Sequence, residues 1–213
     1  GNLEIIYPRA LVLRHAMLGT QERRYKETFE LMRRHKVDLN LIVDMDPYHF
    51  LEGGGVTSLV EQIESIDHLN LFISCLQNWN STAERYEIPR WIRGQNGRNN
   101  GGAFDFAIKV NQVCRGVRSV MIEAERTGRT NGGRSVETGH YLLPILSTFA
   151  KEDPPKLHSA LELIRENALR EFPNTNTGKK PSLFADGAQR SIQYLAFLAD
   201  YELLFKTALE SYD

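Results

Sequence analysis

Two stretches in the first part of the chain decide its fold: residues 25–51, YKETFELMRRHKVDLNLIVDMDPYHFL, and residues 61–76, EQIESIDHLNLFISCL. Apolar residues recur in both at the spacing of short amphipathic helices. The connections between these predicted helices are short, and short loops place consecutive helices antiparallel, as in helical hairpins. The apolar residues supply more buried surface than a binding site would use, so they predict a surface on which helices stack.

Further amphipathic helices follow along the chain. A long helix is predicted from Phe104, because Val110, Val113, Cys114 and Val117 fall three or four residues apart. Later helices are predicted at 140–151, 155–171, 185–200 and 202–212. No alternating strand pattern of useful length occurs. The predicted class is therefore all-α, an irregular α-solenoid of antiparallel helix pairs resembling TPR or HEAT arrays. A single globular all-α domain is the alternative.

The predicted organisation has three parts within one continuous solenoid segment. Residues 1–76 form N-terminal helical hairpins, residues 77–103 form a flexible insertion rich in arginine and aromatic residues, and residues 104–213 form C-terminal helical hairpins. The insertion is predicted because its asparagine-, glycine- and arginine-rich sequence lacks helical periodicity and is too polar to pack. Helical repeats tolerate such insertions at small thermodynamic cost.

Acidic residues at predicted helix starts are interpreted as caps. Asp46 precedes Pro47, the order expected of an N-cap and a first-turn proline, and Asp67 is predicted to cap a helix over residues 68–76. Asp44 and Asp46 also have the spacing of some metal ligands, but the capping role explains Asp46 better. No metal site is therefore predicted.

Composition and charge argue against several classes of protein. The formal net charge of −1 and a pI near 6.7 provide no global attraction to nucleic acid or to anionic membranes. No stretch approaches the ~20 apolar residues of a membrane span, so no membrane association is predicted. Cys75 and Cys114 fall at apolar helix positions, which favours buried, reduced thiols and a cytoplasmic or nuclear location.

The sequence carries no recognisable catalytic motif. Residues 177–182 resemble a phosphate-binding loop, but Pro173 stands where such a loop needs glycine. No Gly-x-Ser-x-Gly motif occurs, and the histidines and cysteines lack the spacing of metal ligands. We therefore predict no catalytic residue, no cofactor and no enzymatic activity, with a free-standing hydrolase as the least favoured alternative.

One group of residues favours a binding function. Residues 85–98 carry four arginines against Glu87 alone, with aromatic residues interleaved and Trp79 shortly before them. Arginine neutralises phosphate and aromatic side chains stack on bases, a combination typical of sites for single-stranded or looped RNA. The alternative is a solvated loop with incidental charge. The predicted RNA-binding residues are Arg85, Arg90, Trp91, Arg93 and Arg98.

Four blocks of sequence occur in an order typical of one scaffold family. They are KETFELMRRHKVDLNLIVDMDPYHFL at 26–51, QIESIDHLNLFISCL at 62–76, YLLPILSTFAKEDPPKLHSALELI at 141–164 and YLAFLADYELLFKTALESYD at 194–213. Each block is weakly specific alone, but the ordered set resembles the family of Elongator complex subunit 1, the largest scaffold subunit of Elongator. The chain departs from the family pattern at Gly53–Gly55 and across residues 77–103 and 127–139.

The resemblance implies a segment of the α-solenoid that follows two N-terminal β-propellers in that family. It also implies a scaffold role in a complex that modifies the wobble uridine of certain transfer RNAs by adding a carboxymethyl-type group at C5. The radical chemistry of that complex, with S-adenosylmethionine and an iron–sulfur cluster, belongs to its third subunit. The expected partners are the second and third subunits and the remainder of the same subunit. The alternative function, which rests on the composition of the insertion and not on the resemblance, is direct contact with transfer RNA or another RNA through residues 77–103.

Overall fold

The computed structural model describes residues 9–86, 104–137, 139–156, 158–160 and 163. The helices in these ranges are α1 (Arg9–Gln21), α2 (Tyr25–Arg34), α3 (Leu41–Asp44), α4 (Pro47–Leu51), α5 (Gly55–Gln62), α6 (Ile66–Cys75), α7 (Ser81–Glu84), a 3₁₀ turn (Phe106–Ile108), α8 (Lys109–Thr127) and α9 (Leu142–Lys151). No strand longer than a single bridge occurs in the described part of the chain, where Arg129 and Ser135 form that bridge. The predicted all-α class is confirmed, while the antiparallel pairing of the helices stays a prediction.

The helices pack around one large apolar core, with a small second cluster formed by Leu142, Leu146 and Ala160. Helix α5 contacts α2, α4 and α8, and helix α9 contacts both α6 and α8. Aromatic rings from the two fold-deciding stretches lie at the centre of the core, where Phe50 meets the edge of Tyr25 at 6.1 Å and Phe72 at 6.4 Å. Each fully buried aromatic or aliphatic side chain contributes roughly 1.5–3 kcal/mol relative to its exposed state. These stretches therefore form a helix-stacking core, as their apolar spacing predicts.

Local capping explains where several helices begin. The side chain of Asp46 accepts a hydrogen bond from the backbone N–H of His49 at 3.0 Å, and Pro47 is the first residue of α4, as predicted. The predicted cap at Asp67 is wrong. Helix α6 begins at Ile66, because the hydroxyl of Ser65 accepts the N–H of His68 at 3.4 Å. Asp67 lies instead in the first turn, where a carboxylate favours the helix dipole.

The glycine run 53–55 makes the tight turn between α4 and α5. Gly54 has φ of 82°, a left-handed conformation that glycine adopts without strain. Gly55 is buried, and a Cβ atom built on it would lie 2.8 Å from both the Phe50 Cα and the Tyr25 hydroxyl. The run is thus required by close packing at the start of α5.

We expect Gly55→Ala to lower the free energy of unfolding by about 1–3 kcal/mol, because the added methyl group overpacks the core against backbone atoms that cannot move away. Gly132→Ala is the matched control. Its Cβ would lie 3.7 Å from Glu61, an ordinary contact, so a change within about 0.5 kcal/mol is expected. Urea denaturation followed by circular dichroism measures the free energy of unfolding of both variants. Equal stability of the two variants would contradict the close packing of Gly55.

Residues 77–86 differ from the sequence expectation, which treats them as part of an unpacked insertion. They include α7, Ser81 is fully buried, and Tyr86 is 5% exposed. Several of their polar groups find partners, since Asn80 caps α7 and the Tyr86 hydroxyl accepts the backbone N–H of the distant Asp38 at 3.1 Å. Polar composition therefore fails to predict exposure here. The remainder of the predicted insertion, residues 87–103, lies outside the described residues.

The polar loop predicted at 127–139 contains a compact hairpin in its described part. Gly128 ends α8 in the left-handed conformation with φ of 66°. The Val136 N–H then donates to the Gly128 carbonyl, and the Thr130 N–H donates to the Arg134 carbonyl, each at 2.8 Å. The Glu125 carboxylate holds the following turn by accepting the N–H groups of Gly139 and Tyr141.

Among the helices of the described ranges, none combines the length and the apolar composition that crossing a bilayer requires.

Candidate functional site

A buried ion pair joins the first half of the chain to the start of α8. The Lys109 ammonium and the Asp44 carboxylate are both fully buried, with Nζ 2.8 Å from Oδ1. The same ammonium donates to the Trp79 carbonyl at 2.6 Å, and the second carboxylate oxygen of Asp44 accepts the Ser81 N–H at 2.8 Å. One ion pair therefore fixes α3, α7 and α8 relative to one another.

Sequence reasoning missed this pair, although a signal for it exists. Lys109 stands four residues before Val113 and therefore falls on the apolar face of α8, and Asp44 directly follows the buried run 41–43. Burial lowers the pKa of Lys109, because an apolar environment disfavours its charged form, and the hydrogen bond to Asp44 partly offsets that effect. The pairing of Asp44 with Lys109 also gives this carboxylate a role other than metal binding.

A second charged cluster forms around Glu152, just after α9. The Glu152 side chain is only 1% exposed and contacts Arg118, Lys156 and Arg115. Arg118 also donates to the Thr148 hydroxyl at 3.1 Å and stacks 4.0 Å above the ring of Phe149. Burial alone would raise the pKa of Glu152, but hydrogen bonds from Lys156 and Arg118 outweigh it and hold that pKa below its usual value. This cluster ties α8 to the end of α9.

The predicted RNA-binding residues are only partly placed by the structure. Arg85 Nη1 donates to Asp38 Oδ2 at 3.1 Å, and its guanidinium lies 4.9 Å from the ring of Trp79. Its side chain remains 59% exposed. The other predicted residues, Arg90, Trp91, Arg93 and Arg98, lie outside the described residues. Tyr86, one of the interleaved aromatic residues, is buried and unavailable for stacking. RNA binding stays a prediction.

An open groove lies beside Arg85, between the C-terminal end of α2 and the end of α6. Its volume is about 370 Å³. We call this cavity the α2–α6 groove. Its lining is partly apolar and partly charged. It is lined by Met32, Arg33, Lys36, Val37, Asp38, Leu39, Asn40, Leu71, Cys75, Gln77 and Arg85.

The cysteines and acidic residues of the described ranges do not form a metal or redox centre. Both cysteines are free thiols, as predicted, but only Cys114 is buried, whereas Cys75 is half-buried. Burial raises the pKa of Cys114 to about 12, which keeps it protonated. Within the same ranges, no three histidine, cysteine or acidic side chains converge as metal ligands. The buried charges described above neutralise one another instead of converging on a cavity.

The fold thus defines an all-α protein of the helical-array class, held together by a large apolar core and by buried ion pairs between helices. A family model described as "ELP1 alpha-solenoid" matches residues 9–213. The chain belongs to the Elongator complex protein 1 family. This confirms the resemblance found in the four sequence blocks and the predicted α-solenoid class.

Relatives from distant eukaryotes agree with this assignment. The chain is similar to Elongator complex protein 1 of Saccharomyces cerevisiae, with 30% identity over 227 residues, and to that of Rattus norvegicus, with 31% identity over 214 residues. The Arabidopsis thaliana protein is 30% identical over 217 residues. Each match covers 100% of this chain but only 14% to 15% of the relative. The chain therefore spans about one-seventh of the length of these relatives.

Proposed function

We propose that this chain is a non-catalytic scaffold segment of the Elongator complex. The observation that carries the proposal is the match of the α-solenoid family model over nearly the whole chain. The name of the relatives places them in a multi-subunit complex. α-Solenoids present extended surfaces to partners and have a shape set by the packing of neighbouring helices.

The buried charges suit such an architectural role. Lys109 with Asp44, and Arg118 with Glu152, link helices that are far apart in sequence, and Lys151 adds a third link by donating to the Ser74 carbonyl at 2.8 Å. A buried polar contact that is fully paired favours one arrangement of its helices over others, because a shifted helix would leave a charge unpaired. Fixed helix positions are what a segment needs if it sets the spacing of other subunits.

The finer parts of the proposal follow from the family. We propose that the complex modifies the wobble uridine of transfer RNA with a carboxymethyl-type group at C5, and that it does so in the cytoplasm, with the nucleus as the alternative location. The second and third subunits and the rest of the same subunit are the proposed partners. The radical chemistry is assigned to the third subunit, so this segment supplies architecture and no reacting group.

Capture of purified subunits tests the scaffold proposal. The tagged 213-residue chain, immobilised on beads, is expected to retain the second subunit, the third subunit or the separately purified remainder of its own subunit. An unrelated α-solenoid of similar length and charge is the control. If the chain retains none of the three above that control, the assembly role is contradicted and a purely internal spacer role takes its place.

A further inference from the structure

We propose that the α2–α6 groove binds an acidic peptide segment that carries an aliphatic side chain and belongs to another protein. This inference deepens the proposed scaffold function and rests on it, because it names the chemistry of one partner contact.

The charge of the groove is unbalanced. Three cations, Arg33, Lys36 and Arg85, line it together with a single carboxylate, Asp38. That carboxylate is already engaged, since Asp38 accepts from the Asn40 side chain at 2.8 Å and from Arg85 at 3.1 Å. Arg33 and Lys36 are exposed and have no ion-pair partner within the described ranges. An excess of positive charge remains even against the partial negative charge at the C-terminal end of α2.

Lys36 ends α2 at the edge of the groove in a left-handed backbone conformation. Lys36 has φ of 52°, in the left-handed region where helices usually carry glycine. The Val37 N–H donates to the Met32 carbonyl at 2.9 Å and the Lys36 N–H to the Arg33 carbonyl at 3.3 Å, which together form a Schellman ending to α2. A lysine at this position costs roughly 1 kcal/mol relative to glycine. The chain thus places a cation at the groove against local preference.

The lining favours a peptide over a nucleic acid. Leu71 and Cys75 are half-buried and supply an aliphatic and sulfur-bearing wall, and among the described residues no aromatic ring lines the groove on which a base could stack. The volume, about 370 Å³, falls within the range of specific binding clefts. A peptide can place an aliphatic side chain against the apolar part of the lining and direct its carboxylates toward Arg33 and Lys36, the charged part.

The sequence next to the groove is an unsuitable occupant. Residues 87–103 follow Arg85 and Tyr86 directly, and they carry Arg90, Arg93 and Arg98 against Glu87. Like charges disfavour contact between this segment and the cations of the groove. A partner of the opposite charge is therefore the assigned occupant.

A fluorescein-labelled peptide in which glutamates flank a single leucine is the probe, and fluorescence anisotropy with the 213-residue chain is the measurement. We expect Arg33→Gln/Lys36→Gly to weaken binding by about tenfold and to reduce its salt dependence. The glycine removes the charge and also relieves the left-handed backbone, so this variant is expected to remain folded. Replacing the leucine of the peptide with serine should weaken binding as well.

The matched control is Arg23→Gly, because Arg23 is also a cation with positive φ, at 56°, and lies outside the groove. Its affinity for the peptide should equal that of the unaltered chain. Unchanged binding by the double variant overturns the proposal, as does equal binding of the serine peptide. Tighter, groove-dependent binding of an oligouridine would assign the groove to RNA instead. If the chain fails to bind the peptide but still captures a subunit, the scaffold proposal stands and only the groove proposal is contradicted. If the chain binds the peptide but captures no subunit, only the scaffold proposal is contradicted.

Discussion

Replacing Lys109 with methionine is expected to lower the free energy of unfolding by about 3–5 kcal/mol, the cost of leaving one partner of a buried ion pair without its counterion. Asp44 would keep the hydrogen bond from the Ser81 N–H but would lose the ammonium that neutralises it. The Trp79 carbonyl would also lose its donor. Urea denaturation followed by circular dichroism gives the change directly.

A second variant separates the charge from the packing. In Asp44→Asn/Lys109→Met the amide oxygen can still accept from Ser81 while no buried charge remains, so stability should recover by more than half of the loss. Lys26→Met is the control on an exposed pair, because Lys26 and Glu64 have side chains 55% and 62% exposed, and a change below about 1 kcal/mol is expected. A double variant as unstable as Lys109→Met alone would show that lost packing causes the effect.

Glu152→Gln is expected to cost about 2–3 kcal/mol, because it leaves the buried Arg118 guanidinium without a carboxylate. The Arg118 side chain is 10% exposed, whereas the other two cations of the cluster, Arg115 and Lys156, are 58% and 41% exposed and can turn to water. Most of the loss is therefore assigned to Arg118. The measurement is again urea denaturation at neutral pH.

The same carboxylate predicts a dependence on pH. The folded state holds the pKa of Glu152 below its ordinary value of 4.5, so folding favours the ionised form. Its contribution to stability is then fully present above the ordinary value and is lost as the pH falls through the lower folded pKa. Between about pH 5 and about pH 3, the unaltered chain should lose stability more steeply than Glu152→Gln. Parallel pH profiles of the two proteins would contradict the paired state of Glu152.

Much of the fold could be predicted from the sequence because it depends on local spacing. The apolar positions around Phe29, Phe50 and Phe72 recur at helical intervals, and these residues form the core. The cap at Asp46 is equally local, since the acceptor and its donor are three residues apart. The start of the helix near Asp67 is harder to predict, because Ser65 can also act as the N-cap. Only the backbone geometry decides which of the two residues caps the helix.

The contacts that could not be predicted join residues distant in sequence. Asp44 and Lys109 are separated by 65 positions, and Arg118 and Glu152 by 34. The position of Lys109 on the apolar face of α8 indicates that it is buried, but no local pattern states which two charges meet. The packing of residues 77–86 was missed for the same reason, because its polar groups find their partners on α3 and on the segment before it.

The ion pair between Asp44 and Lys109 has a consequence for how this part of the molecule can change in evolution. Tyr86 is held by Asp38, and Lys109 by Asp44, so the chain on both sides of residues 87–103 is fastened to the same body. Because both anchors belong to one body, the positions of the surrounding helices are set by these two contacts and not by the length of the chain between the anchors. Changes of chain length between Tyr86 and Lys109 are therefore expected to leave the positions of the surrounding helices unaltered.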